Sequence, residues 1–152
     1  MKQLTVISGK GGTGKTTLTA NMAAQAENAI FADCDVDASN LHLLLNPEVK
    51  ETIEFKGLNL AVINEEKCTR CGLCEEYCRF DAISDYKVDP IHCEGCKVCV
   101  QICPVKAIDF VERICGHAYI SDTKYGTMVH ARLIPGMENS GKLVTLVRQN
   151  AT

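Results

Sequence analysis

Two periods of apolar residues alternate along this chain. Leu4-Thr5-Val6-Ile7 is a short β-rich run that predicts a first strand. Between Lys15 and Ala26 the apolar positions Leu18, Met22 and Ala26 recur four apart, which predicts a helix with one apolar face. Ile30-Phe31-Ala32 predicts a second short strand. Asn40 to Leu45 reads as a helix stopped by Asn46-Pro47. Leu58 to Ile63 reads as a third strand. Residues 116–134 alternate around Gly126, as a hairpin does. Ser140 then opens a periodic stretch with Leu143, Val144, Leu146 and Val147, a last helix with Ser140 as its N-cap. Strand–helix–strand order of this kind predicts an α/β layer on a parallel sheet. Residues 64–110 break the pattern and read as an inserted module. The expected organisation is therefore 1–63, the insert at 64–110, and a continuation of the first domain over 111–152.

Composition narrows the function. Of 152 residues, 46% are apolar and 23% charged, which argues against disorder, collagen and coiled coil. No apolar run is long enough to cross a bilayer. Met1-Lys2-Gln3-Leu4 opens too short an apolar run for a secretory signal. A net charge of −3 argues against a nucleic-acid or anionic-membrane partner. With no Trp, four Tyr and four Phe, a base-stacking platform is also disfavoured. Cysteine changes the picture: there are 10, and eight lie between Cys68 and Cys103. Without a leader, this density points to metal ligation in a reducing compartment, hence a cytoplasmic location.

The first candidate chemistry follows the first predicted strand. Gly9-Lys10-Gly11-Gly12-Thr13-Gly14-Lys15-Thr16 fits the whole P-loop pattern and opens the first predicted helix. Glycines let backbone N–H groups turn inward around phosphate oxygens. The helix start near Lys15 adds a positive dipole end. Lys15 would reach the β- and γ-phosphates, and the Thr16 hydroxyl would hold Mg²⁺. Gly9 to Thr17 are thus the candidate nucleotide-binding residues, with ATP or ADP and Mg²⁺ as ligands. Past the second strand, Asp33-Cys34-Asp35-Val36-Asp37 puts three carboxylates where α/β ligands bind. They could hold Mg²⁺-bound water or orient an attacking water. The alternative is an acidic turn that caps the next helix at Ser39 or Asn40.

The added lysine of Lys10-Gly-Gly-Thr-Gly-Lys15-Thr-Thr resembles the MinD/ParA/Mrp family of deviant-P-loop ATPases, which is related to the nitrogenase iron protein. The resemblance implies an incomplete P-loop (SIMIBI, MinD-like) α/β fold. It also implies that Lys10 contacts nucleotide phosphates across a nucleotide-dependent homodimer. On the same basis Asp35 takes a switch role, so Lys10, Lys15 and Asp35 are the candidate catalytic residues, and Asp33 would hold Mg²⁺ through water. A solvated loop lysine is the plainer reading of Lys10.

The cysteine block repeats itself after 25 residues. Asn64 pairs with Asp89, and Cys68, Cys71, Cys74 and Cys78 with Cys93, Cys96, Cys99 and Cys103. This resembles the two-cluster bacterial ferredoxin run, in which the fourth Cys of each run ligates the other 4Fe–4S cluster. The resemblance assigns Cys68, Cys71, Cys74 and Cys103 to one cluster, and Cys93, Cys96, Cys99 and Cys78 to the second. Small Gly72 and Gly95 would let the backbone fold tightly, with N–H groups aimed at sulfur. Two zinc sites are the alternative, though zinc more often draws Cys-x2-Cys pairs set further apart. Pro104 follows the second run but Arg79 follows the first, so the two sites are not equivalent. Cys34 and Cys115 read as buried thiols, and His92 as a surface residue. His42, His117 and His130 have no useful spacing.

A P-loop ATPase also needs a hydrophobic strand that ends in Asp to hold Mg²⁺ through water. No such strand is evident: Ile108-Asp109 falls inside the repeat, so hydrolysis by this chain is doubtful. The chain resembles about the N-terminal half of a MinD-like ATPase with an inserted α+β ferredoxin domain, and exposed sheet edges follow. Met137-Glu138-Asn139-Ser140-Gly141-Lys142-Leu143-Val144 also looks like those ATPases. The function implied is ATP-controlled electron transfer to an unknown redox partner. The alternative is a ferredoxin-like electron or cluster carrier with an incomplete nucleotide site.

Overall fold

A computed structural model describes residues 2–137 and 139–152. Glu138, in the stretch from Met137 to Val144 singled out above, lies outside the described residues. In chain order the elements are α1 (Lys15–Ala23), β1 (Ala29–Ala32), α2 (Leu41–Leu45), β2 (Glu48–Ile63), α3 (Leu73–Glu76), β3 (Ile83–Ser84), β4 (Lys87–Val88), α4 (Val98–Ile102), β5 (Ile108–Thr123), β6 (Gly126–Leu133) and α5 (Ser140–Asn150). They form two compact units. One holds the chain to Glu54 with Gly116–Leu133 and Ser140–Thr152; the other holds Phe55–Cys115 with Ile134–Asn139.

The four-stranded sheet has the order β1-β6-β5-β2; β1, β6, Glu48–Glu54 of β2 and Gly116–Thr123 of β5 lie in the first unit. β1 runs parallel to β6, from Ala29 opposite Gly126 to Ala32 opposite Val129. β6 runs antiparallel to β5, from Thr123 opposite Gly126 to Gly116 opposite Leu133. The sheet is therefore mixed: a parallel pair of the kind that strand–helix–strand order predicts, and the antiparallel pair of the hairpin predicted around Gly126. The two-residue turn Lys124-Tyr125 is too short for a parallel crossover and forces the antiparallel pair. On one face Met128 packs with Ala23, Leu41 and Leu45. On the other side of the strand pair, Leu143 and Val147 of α5 are fully buried. α2 stops at Asn46, whose left-handed φ of 46° lets its N–H reach the His42 carbonyl at 3.0 Å.

Three expectations are corrected in this unit. Leu4-Thr5-Val6-Ile7 forms no strand, and Leu4 and Ile7 are 69% and 84% exposed. A short β-rich run holds its shape only beside a hydrogen-bonded neighbour, and among the described residues it has none. Leu18 and Met22 do not form the buried face of α1; the helix packs through Ala20 and Ala23. The third strand starts ten residues earlier than Leu58. Its added part, with Glu48, Lys50, Glu51 and Glu54, is a charged, mostly exposed edge whose polarity hid it from the apolar pattern.

The second unit carries the repeat, and its backbone obeys the 25-residue spacing closely. The Cys68 N–H reaches the Asn64 carbonyl at 3.0 Å, and the Cys93 N–H reaches the Asp89 carbonyl at 3.1 Å. Asn64 N–H donates to the Ala107 carbonyl, and Asp89 N–H to the Ala82 carbonyl, so each half repeats the other's contact. Left-handed residues also match in pairs: Arg70 with Gly95, Gly72 with Lys97, and Asp81 with Lys106. Each cysteine run therefore makes the same two reversals before its short helix. Glycine relieves only one reversal in each run, and the other is held by a cation in a conformation that disfavours a side chain. Ala61, Ala82, Ile83 and Ile108 pack with Cys74 and Cys93 at the centre.

Candidate functional site

The loop of residues 9–14 leads directly into α1. Gly12 and Gly14 have φ of 76° and 84°, and Gly14 is the residue before the helix. A Cβ added at Gly9, Gly11, Gly12 or Gly14 would meet no heavy atom within 4 Å, so the loop leaves open space on its surface. The Lys10 carbonyl accepts hydroxyl hydrogen bonds from Ser8 at 3.3 Å and Thr13 at 3.2 Å, which close the loop on itself. Lys15 and Thr16 are half-buried in the first turn, whereas Lys10 and Thr17 are exposed. Open glycine backbone, a nine-residue helix start and a half-buried lysine together suit a phosphate group.

The acidic loop starts where β1 ends. The Asp33 N–H continues the pairing with the Val129 carbonyl at 2.9 Å, and Leu133 N–H donates to Val36 at 3.3 Å, so β6 holds both ends. The Asp33 carboxylate is buried and accepts from the Asp35 N–H at 3.1 Å and the Ser39 hydroxyl at 2.8 Å. Asp35 and Asp37 are exposed, and Asp35 accepts from the Ala38 N–H at 3.2 Å. The helix-capping alternative is not realised: Asn40 stands at the cap of α2 but its side chain makes no capping bond, and Ser39 serves Asp33 instead. Cys34 is exposed rather than buried. Cys115 is fully buried, as expected.

Sequence spacing missed a polar cluster beside this loop. His130 is buried; it shares a 3.0 Å hydrogen bond with buried Ser121 and stacks on Tyr119 with centroids 5.1 Å apart. His42 lies parallel to it at 6.0 Å and bonds Arg132 at 3.1 Å. The strand register explains the meeting, since Tyr119 pairs directly with His130 across β5 and β6. Burial, and then the neighbouring His42, hold the His130 pKa below its ordinary value, with Asp33 opposing. The unfolded chain therefore binds the proton at a pH where the folded chain does not. This contribution to stability is present above about pH 6.5 and is lost as pH falls toward the depressed value. Urea midpoints measured at pH 7.5 and pH 5.5 should separate for the native chain. The gap should narrow for His130→Gln, and an unchanged gap counts against a buried neutral His130.

The eight repeat cysteines line two cavities in the second unit. Cys78, Cys93, Cys96 and Cys99 line one, with about 370 Å³ of space partly open to solvent. Cys68, Cys71, Cys74 and Cys103 line the other, with about 320 Å³. Each cavity thus gathers three cysteines of one run and the last cysteine of the other. Among the described residues, no three His, Cys, Asp or Glu stand close enough to share a single metal ion. Backbone N–H groups of Arg70, Ala82 and Ala107 point at the sulfurs of Cys68, Cys78 and Cys103 at 3.3–3.4 Å. Burial, with help from Cys93, Cys96 and Cys74, pushes the Cys99 thiol up to about 11, and burial also raises Cys74. Burial first, and neighbouring thiols second, thus disfavour the thiolate at these positions, and a bound cation would offset both. His92 lies at the surface, paired with Asp89 at 2.7 Å.

Comparison with known proteins decides the family. The model of the CobQ/CobB/MinD/ParA nucleotide binding domain matches residues 4–151. The chain belongs to this family. An uncharacterized protein of Methanocaldococcus jannaschii is 36% identical over 152 residues, covering 98% of this chain and 54% of that protein. This CobQ/CobB/MinD/ParA member therefore spans about half the length of that relative. Shorter stretches are similar to a pyruvate synthase subunit and to a polyferredoxin. Pyruvate synthase subunit PorD of the same organism is 36% identical over 52 residues, covering 31% of this chain and 60% of that subunit. Polyferredoxin protein MvhB of Methanothermus fervidus is 42% identical over 52 residues, covering 32% of this chain and 13% of that protein. Among the described residues of this family member, no helix is long and apolar enough to cross a membrane.

Proposed function

We propose that the chain is a nucleotide-binding iron–sulfur protein in which ATP state controls electron transfer through two 4Fe–4S clusters. The observation that carries this reading is the sorting of eight cysteines into two cavities with crossed membership. Three thiols from one run plus the last of the other is the ligand pattern of a two-cluster ferredoxin. Four sulfurs per cavity, with no nitrogen or oxygen side chain needed, suit soft iron–sulfur chemistry. On this reading Cys68, Cys71, Cys74 and Cys103 hold one cluster, and Cys93, Cys96, Cys99 and Cys78 the second. The clusters supply one-electron redox chemistry when bound. The apolar lining would shield them from part of the water, and the N–H groups on sulfur would favour the reduced state.

At the other site Gly9 to Thr17 would hold the nucleotide, with Lys15 on the phosphates and Thr16 on Mg²⁺. Asp33 already has a hydrogen bond on each carboxylate oxygen, which suits a group that acts on Mg²⁺ through water. Asp35, exposed on the loop between Asp33 and Val36, would sense the nucleotide. Both ends of that loop are hydrogen-bonded to β6. Lys10, exposed on the loop, would face the nucleotide of a second chain in a nucleotide-dependent homodimer. A redox protein would take up the electrons.

The test is anaerobic reconstitution. About eight iron and eight sulfide per chain are expected, with an EPR spectrum on reduction and cluster potentials that move on saturation with Mg-ATP. Bound zinc in place of iron overturns the cluster reading, and potentials indifferent to Mg-ATP overturn the control. A second reading is an electron carrier with an incomplete nucleotide site. It draws on residues 2–8, which lead to the phosphate loop without joining the sheet. Calorimetry with ATP separates the two readings.

A further inference from the structure

The two cysteine cavities differ in the charge built around them, and the difference centres on Arg113. Arg113 lies on β5 and donates one terminal N–H to the Pro90 carbonyl and another to the Cys93 carbonyl at 2.7 Å. Its Nε is buried and has no hydrogen-bond partner among the described residues. The guanidinium is thus held partly out of water on the residue that begins the second run. Two more cations stand round the same cavity. Lys97 lines it with its ammonium 5.6 Å from the Phe110 ring, and Arg79 lies 5.2 Å from the ring of Phe80, which also lines it. The lining carries one opposing charge, Glu94.

The other cavity has a different setting. None of its lining residues is charged. Arg70 lies 5.7 Å from the ring of Tyr86 on its wall, and Glu75 and Glu76 occupy the helix that carries Cys74. The residue 25 places before Arg113 is Val88. Arg79, Lys97, Glu75 and Glu76 are exposed and screened by water and salt, so they count for less than a partly buried charge.

We propose that Arg113, pinned on the carbonyls of Pro90 and Cys93, makes the site of Cys78, Cys93, Cys96 and Cys99 the more readily reduced of the two. The inference rests on the two-cluster reading. Reduction adds one negative charge to a cluster, and a nearby cation held away from water stabilises that charge. Backbone N–H groups on sulfur act in the same direction. Among the described residues they favour the other site slightly, where Cys68, Cys74 and Cys103 accept, against Cys78 and Cys99 here. A whole charge in a partly dry setting outweighs a small surplus of N–H dipoles. An electron placed on the pair therefore settles on the Cys93 side. The strained backbone of Lys97, with φ of 69° where its repeat counterpart is Gly72, keeps a second cation on that rim.

An EPR-monitored redox titration of the reconstituted full chain tests this. The native protein should show two separate midpoints. Arg113→Gln should lower the upper one by about tenfold in equilibrium constant, about 59 mV for one electron, and leave the lower one in place. Arg113→Lys should restore most of the gap. Lys97→Gly removes a charge and relieves backbone strain, so it should fold well and give a smaller fall in the same midpoint. Coincident midpoints in the native chain overturn the proposal. So does an upper midpoint that stays fixed in Lys97→Gly and in an Arg113→Gln chain that still holds about eight iron. A chain that takes up no iron fails the cluster reading itself, and iron counting reports that separately.

Discussion

Lys15→Ala is expected to weaken Mg-ATP binding by about 100-fold while iron content stays at the native level. Lys15 is the first residue of α1 and is half-buried, so its ammonium is less free to be replaced by water than that of exposed Lys10. A hydrogen bond from such a cation to a phosphate contributes about 1.5–3 kcal/mol, and each 1.4 kcal/mol is tenfold in affinity. The glycine N–H groups remain in the variant, so residual binding is expected and not complete loss. Calorimetry on the native chain and the variant measures the difference directly. Lys10→Ala should behave differently, with an effect that grows with protein concentration, because Lys10 would act on the nucleotide of a second chain. Equal affinity in the native and Lys15→Ala chains would remove the phosphate cradle from the proposal.

Local signals were legible in the sequence where chemistry is local. Gly12 and Gly14 sit in left-handed backbone that glycine accepts without strain, and the helix begins at Lys15 as the pattern requires. The hairpin around Gly126 and the helix at Ser140 also form where periodicity puts them. The misses have a common physical cause. Leu4, Ile7, Leu18 and Met22 carry an apolar pattern for which the described residues supply no covering layer, so pattern alone overstated their burial. β2 was found only in part because its charged first half is an edge, paired along one side and wet on both faces. His42, Tyr119, Ser121 and His130 meet only through strand register, and Arg113 reaches Cys93 across 20 residues. Register and long-range contact leave no mark in residue spacing. The repeat was legible in its cysteines but not in its strain. Nothing in the sequence alone says that Arg70 and Lys97 adopt the reversal for which their counterparts use glycine.

Removing the crossing cysteines should produce the largest change in metal content, and pairs of substitutions decide how the ligands are shared. Cys78 follows Cys68, Cys71 and Cys74 in the chain, yet it lines the cavity of Cys93, Cys96 and Cys99. Cys103 lines the cavity of the first run. If the cavities define the sites, Cys78→Ala with Cys96→Ala damages one site twice and leaves about four iron per chain. Cys78→Ala with Cys71→Ala damages both sites and leaves close to none. If each run kept its own four cysteines, the outcomes would reverse: the first pair would strip both sites and the second would spare one. Iron and sulfide counts after anaerobic reconstitution read the result without any activity assay. Folding also favours the crossed arrangement. The Ala82 N–H already points at the Cys78 sulfur and the Ala107 N–H at the Cys103 sulfur, at 3.4 and 3.3 Å. Matching contacts at matching positions hold both crossing thiols alike. On the proposed reading each half of the repeat would depend on the other for its fourth ligand, and one half alone would not complete a cluster.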